Sequence, residues 1–283
     1  MLGFSGWNLY LNVGRQMQTN GTNVILNLFF GTVANAAYGV GHQLSNAVYA
    51  FISNFTLAGR PQIIKYYSTG QIREMESLLN ASTKYAFLMF FALAMPVILE
   101  MNFVMSVWLG KFPEYTVLFG RLFLVMAMVE TLHINLNYAI QATSRIKLAS
   151  IVGGTLFISI PIISYIAFKC GVKNVYLPMY ISIFVYILVI MARLLIAKRL
   201  IPNLSLSDYC KNVLLGAFVI CCIDVVIPLM IHYRMEEGWI RLILTLIASV
   251  VSMAMATYFF GIDRMTREKI KAVVKRKMHL HRK

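Results

Sequence analysis

The residues best suited to chemistry in this sequence are amides, two histidines, one arginine and one glutamate, all set among apolar neighbours. Asn8, Asn12, Gln16, Thr19, Asn23 and Asn27 follow one another at steps of four, four, three, four and four. That is helical spacing, so all six share one face. Arg15 borders the same face. There a guanidinium can grip a carboxylate or a phosphate, unless its long stem carries the charge toward the helix end. A second stripe runs through Asn35, His42, Asn46 and Ser53, with Tyr38 and Tyr49 in the gaps. A third joins Glu130, His133, Asn137 and Gln141 at steps of three, four and four. Glu130 and His133, one turn apart, read in two ways: as a proton-carrying pair, since histidine titrates near neutral pH, or as part of an ion pair with Arg15. The amides offer donors and acceptors for hydroxyl-rich ligands.

These stripes must sit on helices inside a membrane. Of the 283 residues, 59% are apolar and 13% charged, with a mean hydropathy of +0.70. A soluble domain carries about a quarter charged residues, and a disordered chain needs low hydrophobicity; both classes are excluded. The apolar residues fall in long blocks, each close to the ~20 residues that a spanning helix needs. Blocks at 4–30, 34–58, 84–109, 116–141, 147–168, 174–197, 212–231 and 239–260 predict an all-α polytopic transmembrane bundle of eight helices. Pro96, Pro161 and Pro228 fall inside the third, fifth and seventh, and Gly39 and Gly41 inside the second, where helices can bend. Polar side chains are expensive in hydrocarbon and turn toward the bundle interior or water. Single amides would serve as interhelical glue; three full-length stripes predict a hydrated cavity. Glu100 reads as interfacial. Asp224, with no stripe beside it, reads as helix packing.

Lys and Arg number 26 against 11 Asp and Glu, a net charge of +15. In a soluble chain that excess points to nucleic acid. Here it is assigned to cytoplasmic loops, and no nucleic-acid partner is expected. With both termini cytoplasmic, Arg60, Lys65, Arg73, Lys84, Arg145, Lys147, Arg193, Lys198, Arg199 and Lys211 fall inside, with nine more in a basic tail over 263–283. Lys111, Arg121, Lys169, Lys173, Arg234 and Arg241 fall outside, so the bias is ten against six even without the tail. The tail is expected to lie along anionic membrane lipids. The stretches near 59–83 and 198–211 are long enough only for interfacial helices. No loop could hold a catalytic domain, so no enzyme activity, cofactor or metal site is expected. Cys170, Cys210, Cys221 and Cys222 lack metal or redox spacing.

Several segments carry a family resemblance. Phe4-Ser-Gly-Trp-Asn-Leu9, Asn23-Val-Ile-Leu-Asn-Leu-Phe-Phe-Gly31, Asn35-Ala-Ala37, Asn54-Phe55 and Pro61-Gln-Ile-Ile-Lys65 resemble bacterial polysaccharide flippases. These are the O-antigen or lipopolysaccharide-type exporters of the multidrug/oligosaccharidyl-lipid/polysaccharide superfamily. Ala142-Thr143 followed by Ile146-Lys147 resembles a short loop of the same family. The likeness is specific over 4–70, moderate to about 165 and only hydropathic beyond.

The resemblance implies export of a polyprenyl-pyrophosphate-linked oligosaccharide across the bacterial cytoplasmic (inner) membrane, by two lobes rocking about a central cavity. Residues 1–200 match the second six-helix lobe and 201–262 the additional helix pair. The first lobe is therefore expected from a longer reading frame, from a partner chain or from a second copy. The implied cavity residues are Arg15 for the pyrophosphate and Asn12, Gln16, Asn23, Asn27, His42, Asn46, Asn137 and Gln141 for the sugars. Glu130 and His133 are the candidates for ion coupling. The alternatives are a multidrug/cation antiporter of the same superfamily, which would want acidic groups in the cavity, and a non-transporting remnant.

Overall fold

A computed structural model describes residues 2–261; the basic tail expected over 263–283 lies outside them. Residues 2–30 (α1) and 32–68 (α2) run on as one helical stretch, interrupted at Gly31. Its apolar part, Phe4–Ser68, has 65 residues. Drawn out straight it would measure about 98 Å, three times the ~30 Å of a hydrocarbon core. It turns back at Gly31 instead, where φ is +78°. Going out, Tyr10, Gly21 and Phe29 meet Thr155, Pro161 and Phe168 of Lys147–Lys169 (α6). Coming back, Tyr38, Ser45 and Arg60 meet Phe119, Phe123 and Gln141 of Thr116–Ala142 (α5). Glycine takes this positive φ without the clash that a Cβ would bring.

Ile72–Leu99 (α3) and Met101–Leu109 (α4) form one pass, broken at Glu100, four residues after Pro96. Leu177–Leu200 (α7), Leu206–Arg234 (α8) and Trp239–Gly261 (α9) complete the chain. Seven helical stretches are long and apolar enough to cross a membrane, and the first crosses twice. The result is an all-α bundle of eight passes, with no strand among the described residues. The chain is thus a multi-pass membrane protein.

One expected loop is helix. The 59–83 stretch continues α2 to Ser68 and starts α3 at Ile72, around a three-residue turn. Its residues keep the apolar period: Ile63, Met75 and Leu79 are fully buried in a core shared with Leu136, Ile140 and Ile201. The link at 198–211 likewise shrinks, because α7 runs to Leu200 and α8 starts at Leu206. Trp7 beneath Lys147 and the Lys84 ammonium on the Gly261 carbonyl place both described termini at one end, beside the basic loops. We call this the basic end.

Helices approach closely where side chains vanish, as in other membrane bundles. Gly14 of α1 lies against Gly154 of α6, so that a Cβ on Gly14 would stand 2.7 Å from the Gly154 carbonyl oxygen. Gly41 packs closely on Gly120 of α5, with a would-be Cβ 3.0 Å from its nitrogen, so it is a packing residue rather than a hinge. Pro96, Pro161 and Pro228 lie within helices, as expected.

The last pair, α8 and α9, docks mainly on α3. Glu100 lies level with the α8–α9 turn, and its side chain is fully buried there. Arg241 donates to it through Nε (2.8 Å) and Nη2 (2.5 Å), and His232 through Nδ1 (2.7 Å). The break between α3 and α4 puts this carboxylate where both last helices reach it. Asp224 packs helices as expected, accepting from Ser249 and Ser252 of α9.

Gly14→Ala should lower stability by about 1–3 kcal/mol, because the new methyl forces α1 off α6. Gly39→Ala, with nothing within 4 Å of its would-be Cβ, should leave stability unchanged or slightly raised. Thermal unfolding of both variants in detergent checks this; equal midpoints would contradict so close an α1–α6 contact.

Candidate functional site

The first half of α1 packs on α6 rather than on α2. The two arms leaving Gly31 therefore part toward the basic end, and α5 shows between them. This is where the three stripes meet. Arg15 stands half-way along α1, about 20 Å from its first residue, near the middle of a bilayer. Its Nη1 is 2.9 Å from Oε1 of Glu130 on α5, and its guanidinium lies 5.5 Å from the Phe157 ring centroid. Of the two readings of Glu130, the ion pair with Arg15 is the one formed.

Around this pair the amides line an open face rather than a closed cavity. Asn12, Gln16, Asn27 and Asn46 are exposed, and Asn23, His42, Asn137 and Gln141 half-buried. Along α1, Asn20 donates to Gln16 Oε1 at 3.1 Å. On α2, the Asn46 amide sits 3.4 Å from the His42 ring nitrogen Nε2. Arg60 donates to Gln141 Oε1 (3.1 Å) and covers the Tyr138 ring. The Oδ1 of Asn23 is buried without a hydrogen-bond partner among the described residues. The stripes are thus brought together, but their polar face looks outward from this chain.

His133 is not beside Glu130 in the way a proton-carrying pair requires. Its side chain points into the core, where it is completely buried. Arg193 of α7 donates through Nη1 to His133 Nδ1 at 2.7 Å. A guanidinium can only donate, so this imidazole accepts at Nδ1 and carries its proton on Nε2. That Nε2 and the Arg193 Nε have no partner among the described residues. Tyr186 stacks on His133 and donates its hydroxyl to Gln18 Oε1 at 3.2 Å. Gln18 also reaches the Met126 sulfur. Gln18 lies on the inward face of α1 with Leu11, Gly14 and Thr22, at steps of three, four and four, and the helix there widens to a π-turn over Met17–Gly21.

Arg193, Gln18 and Tyr186 escaped sequence reasoning. Arg193 was grouped with the basic loop that follows, but it is 2% exposed. Moving it into the bundle leaves nine basic residues against six. A signal existed: Tyr186 and Arg193 are seven residues apart, two turns on one face of α7. Gln18 had one too, since it follows Leu11 and Gly14 at helical steps on the face of α1 opposite the stripe.

The site is electrostatically unbalanced. Arg15 and Arg193 carry two positive charges, Glu130 one negative, and His133 none. With the outward amides, the arrangement is suited to an anionic, hydroxyl-rich ligand. Comparison of the chain with family models, with characterised proteins and with solved structures finds no match.

His133→Leu should cost about 3–5 kcal/mol, because it strands a buried guanidinium. Adding Arg193→Met removes the stranded charge and should restore most of the loss. Unfolding in detergent measures both; a double variant no more stable than His133→Leu alone would contradict the pairing.

Proposed function

We propose that this chain is part of a carrier that moves a polyprenyl-pyrophosphate-linked oligosaccharide across the bacterial cytoplasmic membrane, for cell-surface polysaccharide. The observation that supports this reading is the open polar face on α1, α2 and α5, with Arg15 at mid-membrane depth. In hydrocarbon such a face is unfavourable, so water and a second helical unit cover it. That unit is a further lobe or a second copy. The sugars pass along Asn12, Gln16, Asn27 and Asn46, the pyrophosphate meets Arg15, and the lipid tail stays outside. When the phosphate takes Arg15, Glu130 loses its partner and is left to hold a coupling cation. That exchange is a route for coupling to an ion gradient. Arg193, held by His133, adds its positive charge to the site.

The antiporter reading is weaker on the same geometry. A cationic drug wants an unpaired acid, and Glu130 is matched by Arg15 at 2.9 Å.

Binding of a polyprenyl-pyrophosphate-linked oligosaccharide to the purified chain in lipid nanodiscs tests the proposal. Arg15→Gln should weaken binding by at least about tenfold, as expected for one charge-assisted hydrogen bond of roughly 1.5–3 kcal/mol. Equal affinity of the two proteins, or no binding by the unaltered chain, would contradict it.

A further inference from the structure

At the basic end, α6 begins where α7 finishes, and a cleft of about 580 Å³ opens between them. Arg145, Lys147 and Arg199 form its rim. Leu148, Ile151 and Ile196 line the wall that descends into the membrane-spanning part. No acidic residue lines it. Among the described residues, neither the Arg145 nor the Arg199 guanidinium makes an ion pair or side-chain hydrogen bond. The neighbouring Lys198 is different: its ammonium is held by the Pro202 and Leu204 carbonyls.

Two of the three rim cations flank the N-terminus of α6, a helix of 23 residues. That helix end already carries positive dipole charge. Three cations and a helix N-terminus together repel one another until an anion arrives. The anion that fits must also bring apolar chains, because Leu148 is 43% exposed beside the rim. Basic pockets between helices at a membrane surface have the geometry for lipid headgroups.

We propose that this cleft binds an anionic glycerophospholipid, with its headgroup phosphate between Arg145, Lys147 and Arg199 and an acyl chain against Leu148, Ile151 and Ile196. The site lies apart from the Arg15 groove and does not depend on what the groove carries. Its occupant bridges the ends of α6 and α7, and so braces the helix that positions Arg193.

Trp7 provides the probe, since the Lys147 ammonium lies 5.2 Å over its ring. The chain has three tryptophans. Trp108→Phe and Trp239→Phe leave Trp7 as the only emitter in the full chain, reconstituted in phosphatidylcholine vesicles. Brominated phosphatidylglycerol should half-quench Trp7 at about a tenfold lower mole fraction than brominated phosphatidylcholine. Adding Arg145→Gln and Arg199→Gln should abolish that preference. Adding Lys65→Gln and Arg73→Gln, which remove two exposed charges at the same end, should keep it. Three results would overturn the proposal: no preference in the parent, equal loss in both charge-removed pairs, as for diffuse surface charge, or reversal of quenching by inorganic phosphate.

Discussion

Hydrocarbon offers a polar side chain no water, so every such group in a spanning helix must find a partner or a wet surface. The arrangement of this bundle follows from that constraint. Asp224 holds α9 to α8 through two serines. Glu100 gathers Arg241 and His232 and so fastens the last helix pair to α3. Arg193 finds His133, and Asn135 finds Thr83. After these pairings the amides of α1 and α2 are left, still facing outward, with one ion pair among them. These pairings turn inward and join helices, whereas the amides face outward and join none, which is why they are read as functional.

The two arginines have different surroundings and different uses. Arg193 is sealed between α5 and α7, with an imidazole as its acceptor and no acid on it. Arg15 is more than a third exposed and has its acid at hand. An exposed guanidinium with an exchangeable partner can trade that partner for a phosphate. A sealed one cannot, but its charge biases the site toward anions at short range, where the surrounding dielectric is low. The π-turn at Met17–Gly21 joins the two, because Gln18 links α1 to the Tyr186 hydroxyl beside His133.

Much of this was legible in the sequence. Eight passes and the three stripes followed from hydropathy and a period of 3.6, because lipid imposes both strongly; the Arg15–Glu130 pairing was one of two open readings, and only the structure decides for it. What escaped depended on tertiary contact or on irregular backbone. The partners of Glu100 escaped because the break after α3, which lets α8 and α9 reach it, leaves no mark beyond Pro96. Arg193 looked like a loop residue because its neighbours Lys198 and Arg199 are. The 59–83 stretch looked like a loop because its charges, Arg60, Lys65 and Arg73, outweighed Ile63, Met75 and Leu79 in a hydropathy window. A hydrated cavity was expected, and the described residues present an open polar face instead.

If the proposed function holds, the face carrying Asn12, Gln16, Asn27 and Asn46 is wet while the rest of the bundle's outer surface meets lipid. Single cysteines at these four positions, in a chain whose native cysteines are replaced by serine or alanine, can be challenged with a membrane-impermeant thiol reagent after reconstitution. Cysteines at Val24, Leu28 and Phe51, all strongly exposed and apolar, serve as the comparison. Labelling should be fast at the four amide positions, and the three apolar ones should be protected. Equal protection at all seven would contradict it.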